Sequence, residues 1–221
     1  MSPDTASALL LSIRVAVLAT LLNAVVGIPL AYLLARRRFR GRGLVDLLTT
    51  LPLVLPPTVT GYYLIVLLGR RGWLGGPVYQ LTGWSVAFTW YAAVVAATVM
   101  ALPLLVRTAK AAFESVDRDL ERAAYTLGRS ELRTALEVTL PLARNGVLAG
   151  LVLAFARALG EFGATLMLAG NIPGKTSTVP LAIYTAVQTG EESTALFLVG
   201  VLTALSCLVI VAANRLGARA T

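Results

Sequence analysis

The chain has 221 residues, of which 57% are hydrophobic and 14% charged, and a mean hydropathy of +0.78. Soluble domains carry about 25% charged residues, so a soluble class is excluded, as is a disordered one; the composition is that of a polytopic membrane protein. Histidine is absent and Cys207 is the only cysteine, which removes the commonest metal ligand and general base and rules out a disulfide framework or zinc ribbon. The net charge of +8 bears on orientation in a membrane rather than on nucleic acid, which is not expected as a partner.

A bilayer-spanning helix needs about 20 apolar residues. Five stretches qualify: 8–35, 47–69, 84–106, 146–170 and 195–213. The first is too long for a cleavable signal peptide and carries Asp4 where such a peptide carries Lys or Arg. It is followed by RRRFRGRG, with five arginines. Inside the second stretch, Leu55-Pro56-Pro57-Thr58 must kink or break the helix, because two prolines remove backbone donors. The freed carbonyls face protein or a wet cavity, so a structural kink and a pore-lining break both fit. The polar segment 107–145 follows the third stretch. After the fourth comes the loop 171–180 and then 181–188, too short to cross and expected as an interfacial or re-entrant helix.

Positive charge marks the cytoplasmic side. Fourteen Lys or Arg lie in 36–42, in 107–144 and at Arg215 and Arg219, against three, Arg70, Arg71 and Lys175, in the opposite loops. The N-terminus is therefore expected outside and the C-terminus in the cytoplasm. Arg14 and Arg157 are expected within spans.

The segment 107–145 decides the class. Phe113, Val116, Leu120, Ala123, Ala124 and Leu127 recur at helical spacing, and Gly128 reads as a helix terminator. A second short helix is expected from Ser130 to Leu140, with Pro141 interrupting it. Such helices either dock on a cytoplasmic partner or lie on the membrane surface. The stretch Arg122-Ala123-Ala124-Tyr-Thr-Leu-Gly128, then nine residues, then Val138-Thr-Leu140-Pro141, resembles the EAA motif of bacterial ABC importer permeases. Val138 replaces the motif's Ile. Arg122 takes the place of its Glu, with Glu121 one residue earlier. One residue turns a helical side chain by about 100°, so the contact of the motif's Glu is not transferred to Glu121.

The resemblance implies an all-α, single-domain (1–221) type I ABC importer permease fold. Its five transmembrane helices would be joined by a cytoplasmic coupling helix that seats in a groove of an ATPase subunit. Glu121, Arg122, Ala123, Ala124, Gly128, Leu140 and Pro141 would form the coupling loop. Small residues such as Ala123, Ala124 and Gly128 allow close approach of a partner. The chain has no GxxxxGK[ST] loop and is not expected to be an enzyme. It would bind no cofactor itself, with ATP and Mg on the partner ATPase.

The runs Ala156-Arg157-Ala-Leu-Gly160-Glu161-Phe-Gly163-Ala-Thr165 and Gly170-Asn171-Ile-Pro173-Gly174-Lys-Thr176-Ser-Thr178-Val-Pro180-Leu-Ala-Ile-Tyr184, with the earlier Pro56-Pro57-Thr58-Val-Thr-Gly61, resemble molybdate importer permeases over nearly the whole chain. Molybdate and tungstate are near-isosteric dianions and are not separable here; sulfate or thiosulfate import is the alternative. The implied assembly is a homodimer with two cytoplasmic ATPase subunits and an external molybdate-binding protein, in a bacterial or archaeal cytoplasmic membrane. Candidate pathway or gate residues are Pro56, Pro57, Thr58, Thr60, Arg157, Glu161, Asn171 and Thr176.

Arg157 lies about 16 Å along a span that starts at Gly146, at a depth where charges pair or face a cavity. It is either a station for the dianion or half of a self-neutralising lock with Glu161. The lock is preferred, because a strong fixed anion site would trap the cargo and Glu161 would repel it. Ser177 and Thr178 could also offer neutral hydrogen bonds to an oxyanion. Trp73, Trp84 and Trp90 read as interfacial anchors, Cys207 as core packing, and Gly146 and Gly150 as a small-residue helix contact. An intramembrane enzyme is disfavoured: there is no histidine, and only Asp46 lies near a span. No internal repeat supports a secondary transporter.

Overall fold

The structure is a computed structural model that describes residues 3–218, with side chains from 4 to 211. The side chains of Arg215 and Arg219, counted above toward the cytoplasmic charge, lie outside the described residues. Every regular element among the described residues is a helix. Four helices are long and apolar enough to cross a membrane: α1 (Pro3–Arg36), α5 (Trp90–Ser115), the continuous rod Glu131–Leu159, and α11 (Glu192–Ala218).

Of the five expected spans, the second breaks where its two prolines required, and the fourth breaks where no break was expected. The stretch 47–69 is two helices, α2 (Arg42–Val54) and α3 (Pro57–Leu68), separated by extended backbone at Leu55 and Pro56. Neither proline has an N–H to offer a helical ladder. Pro57 instead sits in the first turn of α3, where that donor is not needed. The stretch 146–170 is likewise broken: the rod ends at Leu159, Gly160 to Phe162 leave the helix, and α9 (Gly163–Ala169) restarts it. A short helix, α4 (Gly75–Thr82), follows α3, and the third stretch begins later and runs further than expected. Thr89 caps α5 by accepting from the Ala92 N–H, and α5 continues through 107–115, so the polar segment proper starts near Val116.

Pro141 does not interrupt a short helix. The rod is α7 (Glu131–Thr134), a π-helical turn (Ala135–Thr139) and α8 (Leu140–Leu159) stacked end to end. The Leu140 N–H reaches back five residues to the Ala135 carbonyl. That wider turn makes room for a proline whose ring would clash with the carbonyl four residues before it. The helix expected from Ser130 to Leu140 is thus the foot of a membrane helix, with Ser130 as its N-cap, accepting from the Arg133 N–H.

α5 is the centre of the molecule, packed between α1 and α8. Over its apolar stretch 61% is buried, against 11% for α11. Its Ala92, Ala93, Ala96, Ala97 and Ala101 are fully buried and let neighbouring backbones approach. Gly146 and Gly150 make the small-residue contact expected of them: a Cβ at Gly146 would lie 2.3 Å from Ala112 Cβ. Cys207 is exposed on α11 rather than in the core, because α11 packs along only one face, through Ala195 and Leu198. Arg14, expected inside a span, lies with its guanidinium 3.9 Å from the ring centroid of Trp90. Since Trp90 opens α5, Arg14 stands level with a helix end.

The two half-helices pack on each other. A Cβ at Gly61 of α3 would lie 2.7 Å from Met167 Cβ and 2.8 Å from Ala164 Cα of α9, and one at Gly163 would lie 2.9 Å from Pro57 Cβ. Gly61→Ala must therefore push α9 away. The expected cost is about 1–3 kcal/mol, read as a lowered unfolding midpoint of the purified protein, while the same change at the open Gly200, which has no neighbour within 4 Å, does not lower the midpoint.

Candidate functional site

Most of the candidate residues fall in two parts of the chain: the polar segment after α5 and the crossing of the broken helices. In the first, α6 (Arg118–Thr126) begins at Asp117, whose carboxylate accepts from the Asp119 N–H at 2.9 Å. It ends in a Schellman motif: the Gly128 N–H bonds the Tyr125 carbonyl and the Arg129 N–H bonds the Ala124 carbonyl. Gly128 has φ +79°, the left-handed conformation that a terminator requires, so its sequence reading holds.

The expected single periodic helix from Phe113 to Leu127 is two helices, since the chain turns at Val116 and Asp117. The turn resets the periodicity. Phe113, Val116 and Ala124 are buried, whereas Leu120 is 49% and Leu127 82% exposed. Ala124 therefore packs on its own chain and is not offered to a partner, as had been expected; Ala123 is exposed.

Glu121 and Arg122 separate as a one-residue step requires. Arg122 points outward and pairs with Asp119 at 2.8 Å. Glu121 points inward, 7% exposed. Its Oε1 lies 3.0 Å from Arg36 Nε and accepts from Thr139 Oγ1 at 2.6 Å. Arg36 Nη2 also donates to the Val116 carbonyl at 2.9 Å. One buried ion pair thus joins the end of α1, the end of α5, α6 and the π-helical turn. Arg37 adds an exposed pair with Glu131, through Nε at 2.8 Å and a second, Nη2 contact, and Lys110 pairs with Asp46. Burial and the nearby Glu121 and Glu131 raise the Tyr125 phenol above its usual value, so it stays neutral. Leu140 and Pro141 stand at the top of the π-helical turn, beside Thr139.

In the second part, Arg157 is in the last turn of α8, next to the break. Its Nη1 lies 2.6 Å from Glu161 Oε2, and Glu161 Oε1 accepts from the Ala164 N–H at 2.8 Å. Glu161 is therefore at once the counter-ion of one helix end and the cap of the next. Its side chain is 1% exposed, against 26% for Arg157. Pro57 and Thr58 abut Gly163 across this crossing. Pro56, Pro57, Thr58, Tyr62 and Tyr63 are exposed, whereas Thr60 is buried with an unbonded hydroxyl.

Asn171 and Thr176 are not brought to that crossing. Asn171 Nδ2 donates to Thr185 Oγ1 at 2.8 Å. Thr176, fully buried, accepts from the Ile172 N–H and donates to the Gly170 carbonyl. Both hold the loop that leads into α10 (Val179–Gln188), the helix expected at 181–188, whose Val179 N–H is capped by Ser12 Oγ of α1 at 2.7 Å. Sequence reasoning missed Arg36 and Thr139. Nothing marked Arg36 within a run of arginines.

Removing the Glu121 carboxylate strands a buried guanidinium. Glu121→Ala is expected to cost about 3–5 kcal/mol and to open the segment around α6, seen as faster limited proteolysis between α5 and α7. Arg122→Ala, at an exposed pair, should change neither.

The family profile of binding-protein-dependent transport system inner membrane components matches residues 27–221. The chain is 51% identical over 187 residues to the molybdenum transport system permease protein ModB of Escherichia coli K12, covering 84% of this chain and 82% of that one. It is 41% identical to the ModB of Azotobacter vinelandii, over 96% and 94%, and 47% identical to a probable molybdenum ABC transporter permease of Haloferax volcanii, over 86% and 69%. Among solved structures, the MetNI methionine ABC transporter in an inward-facing conformation aligns over 100% of both chains with TM-score 0.75 at 17% identity. A bacterial ABC transporter involved in alginate import aligns over 99% and 80% with TM-score 0.78 at 16% identity. These two likenesses establish the type I importer permease fold. With the family profile spanning most of its length, the chain belongs to the binding-protein-dependent transport system inner membrane components.

Proposed function

We propose that this chain is the membrane-spanning subunit of an ATP-driven importer of molybdate and its near-isostere tungstate. The observation that carries the reading is the 41–51% identity to molybdenum permeases over 84–96% of the chain. Two copies form the pathway on a twofold axis, two ATPase subunits holding ATP and Mg dock in the cytoplasm, and an external binding protein delivers the oxyanion. Each copy crosses the cytoplasmic membrane five times, α2 and α3 together making one broken span, with the N-terminus outside.

The chain's own work in this scheme is mechanical. Leu120, Ala123 and Leu127, one stripe on the exposed side of α6, seat in the ATPase. The Arg36–Glu121 pair passes a displacement of α6 to α1, α5 and the α7–α8 rod together, because it is bonded or joined to all of them. The broken helices form the wall that moves, with Thr58, Tyr62 and Tyr63 facing the axis. Arg157 and Glu161 act as the lock that holds α9 on α8, and the cargo meets only weak, neutral contacts on its way.

In liposomes holding this chain with its ATPase, molybdate- or tungstate-loaded binding protein is expected to stimulate ATP hydrolysis and sulfate-loaded protein is not. Stimulation by sulfate instead would keep the importer and change the cargo. Leu127→Asp should leave the chain folded and abolish co-purification of the ATPase, since loss of a central interface anchor costs about 2 kcal/mol or more. Arg157→Gln should lower stability, coupled ATPase activity and flux together. A variant that folds and couples normally but loses only molybdate flux would make Arg157 a cargo site.

A further inference from the structure

On the side of the protein near α6, an open cleft of about 790 Å³ lies between the end of α1 and the foot of the rod. That size falls within the range of about 300–1,000 Å³ usual for ligand sites. Its walls are apolar: Ile28, Pro29 and Leu33 from α1, Phe113 from α5, and Leu132 and Leu136 from the rod. Leu33, Leu132 and Leu136 are 40%, 70% and 56% exposed, so no described residue covers them. At one end the cleft opens under Arg37, Arg38 and Phe39.

Two irregularities of helix geometry meet in this cleft. Pro29 interrupts the hydrogen-bond ladder of α1. Ala135 and Leu136 belong to the π-helical turn, which broadens the facing helix. The rim is cationic and only partly compensated. Of the arginines that follow α1, Arg36, Arg37 and Arg42 are paired with Glu121, Glu131 and Glu114, but Arg38, which lines the cleft, and Arg40, two residues further along the chain, are exposed and, among the described residues, have no carboxylate partner.

We infer that this cleft binds an anionic phospholipid of the cytoplasmic leaflet, one acyl chain lying along α1 from Leu33 to Ile28 and the phosphate under Arg38 and Arg40. The dimensions agree. Ile28 to Arg37 is about 14 Å along a helix, close to half of the roughly 30 Å hydrocarbon thickness. Arg37 thus stands where a headgroup would, with Ile28 near the depth where the chain ends. A soluble anion has no use for the apolar wall, and a neutral lipid has none for the unpaired arginines. Basic pockets between helices at this level are the geometry that anionic headgroups fill. The cleft also touches Glu131 and Tyr32, so an occupant would stiffen the joint between α1 and the foot of the rod. The inference depends on the membrane orientation of the chain and not on its cargo.

The test is native mass spectrometry of the purified transporter, delipidated and then titrated with phosphatidylglycerol or phosphatidylcholine. Retention of phosphatidylglycerol is expected to be about 30-fold tighter, from two cations near the headgroup. Arg38→Gln with Arg40→Gln should erase the preference and leave weak binding of both lipids, whereas Leu136→Asp, at an exposed wall position, should remove both. Equal retention of the two lipids by the unaltered protein would overturn the inference. So would a preference that survives either variant, or full displacement of phosphatidylglycerol by inorganic phosphate. Disulfide-linked dimers formed through Leu136→Cys in a Cys207→Ser background, with no lipid retained, would give the cleft to a second copy and equally overturn it. None of these readouts involves molybdate or ATP hydrolysis, so failure here and failure of the importer reading are distinguishable.

Discussion

The buried ion pair between Arg36 and Glu121 is the contact on which the arrangement of the polar end depends. A nine-residue helix such as α6 has little stability of its own in water. Only Glu121 and Ala124 of α6 are buried, so packing supplies little. What holds it is a guanidinium that reaches across from the last turn of α1, bonds the Val116 carbonyl at the end of α5 and neutralises Glu121, while Thr139 satisfies the same carboxylate oxygen. With both partners under 10% exposed, neither charge has water to fall back on. The geometry is therefore all or nothing: a displacement of α6 must carry its neighbours with it or leave a charge uncompensated. Such a joint is rigid, and the outer side of α6, with Leu120 and Ala123, is exposed.

A second constraint comes from the backbone. Where a helix breaks within a span, its freed polar groups must find partners, because lipid offers none. The chain meets this differently at its two breaks. At the first, Pro56 and Pro57 remove the donors outright, and the Pro56 carbonyl accepts from Val59 and Thr60. At the second, Glu161 supplies an acceptor for the Ala164 N–H, and Arg157 supplies the charge that lets a carboxylate be buried there. Gly61 and Gly163 then let the restarted helices α3 and α9 touch almost backbone to backbone. The two breaks are thus one structural unit, the least regular part of the bundle, bordered by the exposed face of α3. That face carries the exposed Thr58, Tyr62 and Tyr63, while Arg157 and Glu161 are already paired with each other.

The sequence by itself determined the membrane class, the apolar stretches, the sidedness expectation and the motif that led to the family, because each is a local property of composition, spacing or charge count. It also determined the Gly128 terminator, which needs only a left-handed residue at a helix end, and the Gly146–Gly150 contact, which needs only small side chains one turn apart. Tertiary structure alone decided which arginine in a run of five is buried, since Arg36 is chosen by a carbonyl 80 residues away and by a carboxylate on α6. It decided that Pro141 lies within a rod, through a π-helical turn that no periodicity shows, and that Ala124 faces inward while Leu120 and Leu127 face outward, through the turn at Asp117 that resets the helical phase. It placed Asn171 and Thr176 in a loop scaffold rather than at the crossing, and left Cys207 exposed on a helix that packs along one face. In each case the reason is the same: a side chain's role follows from what stands opposite it, and that partner lies on another helix.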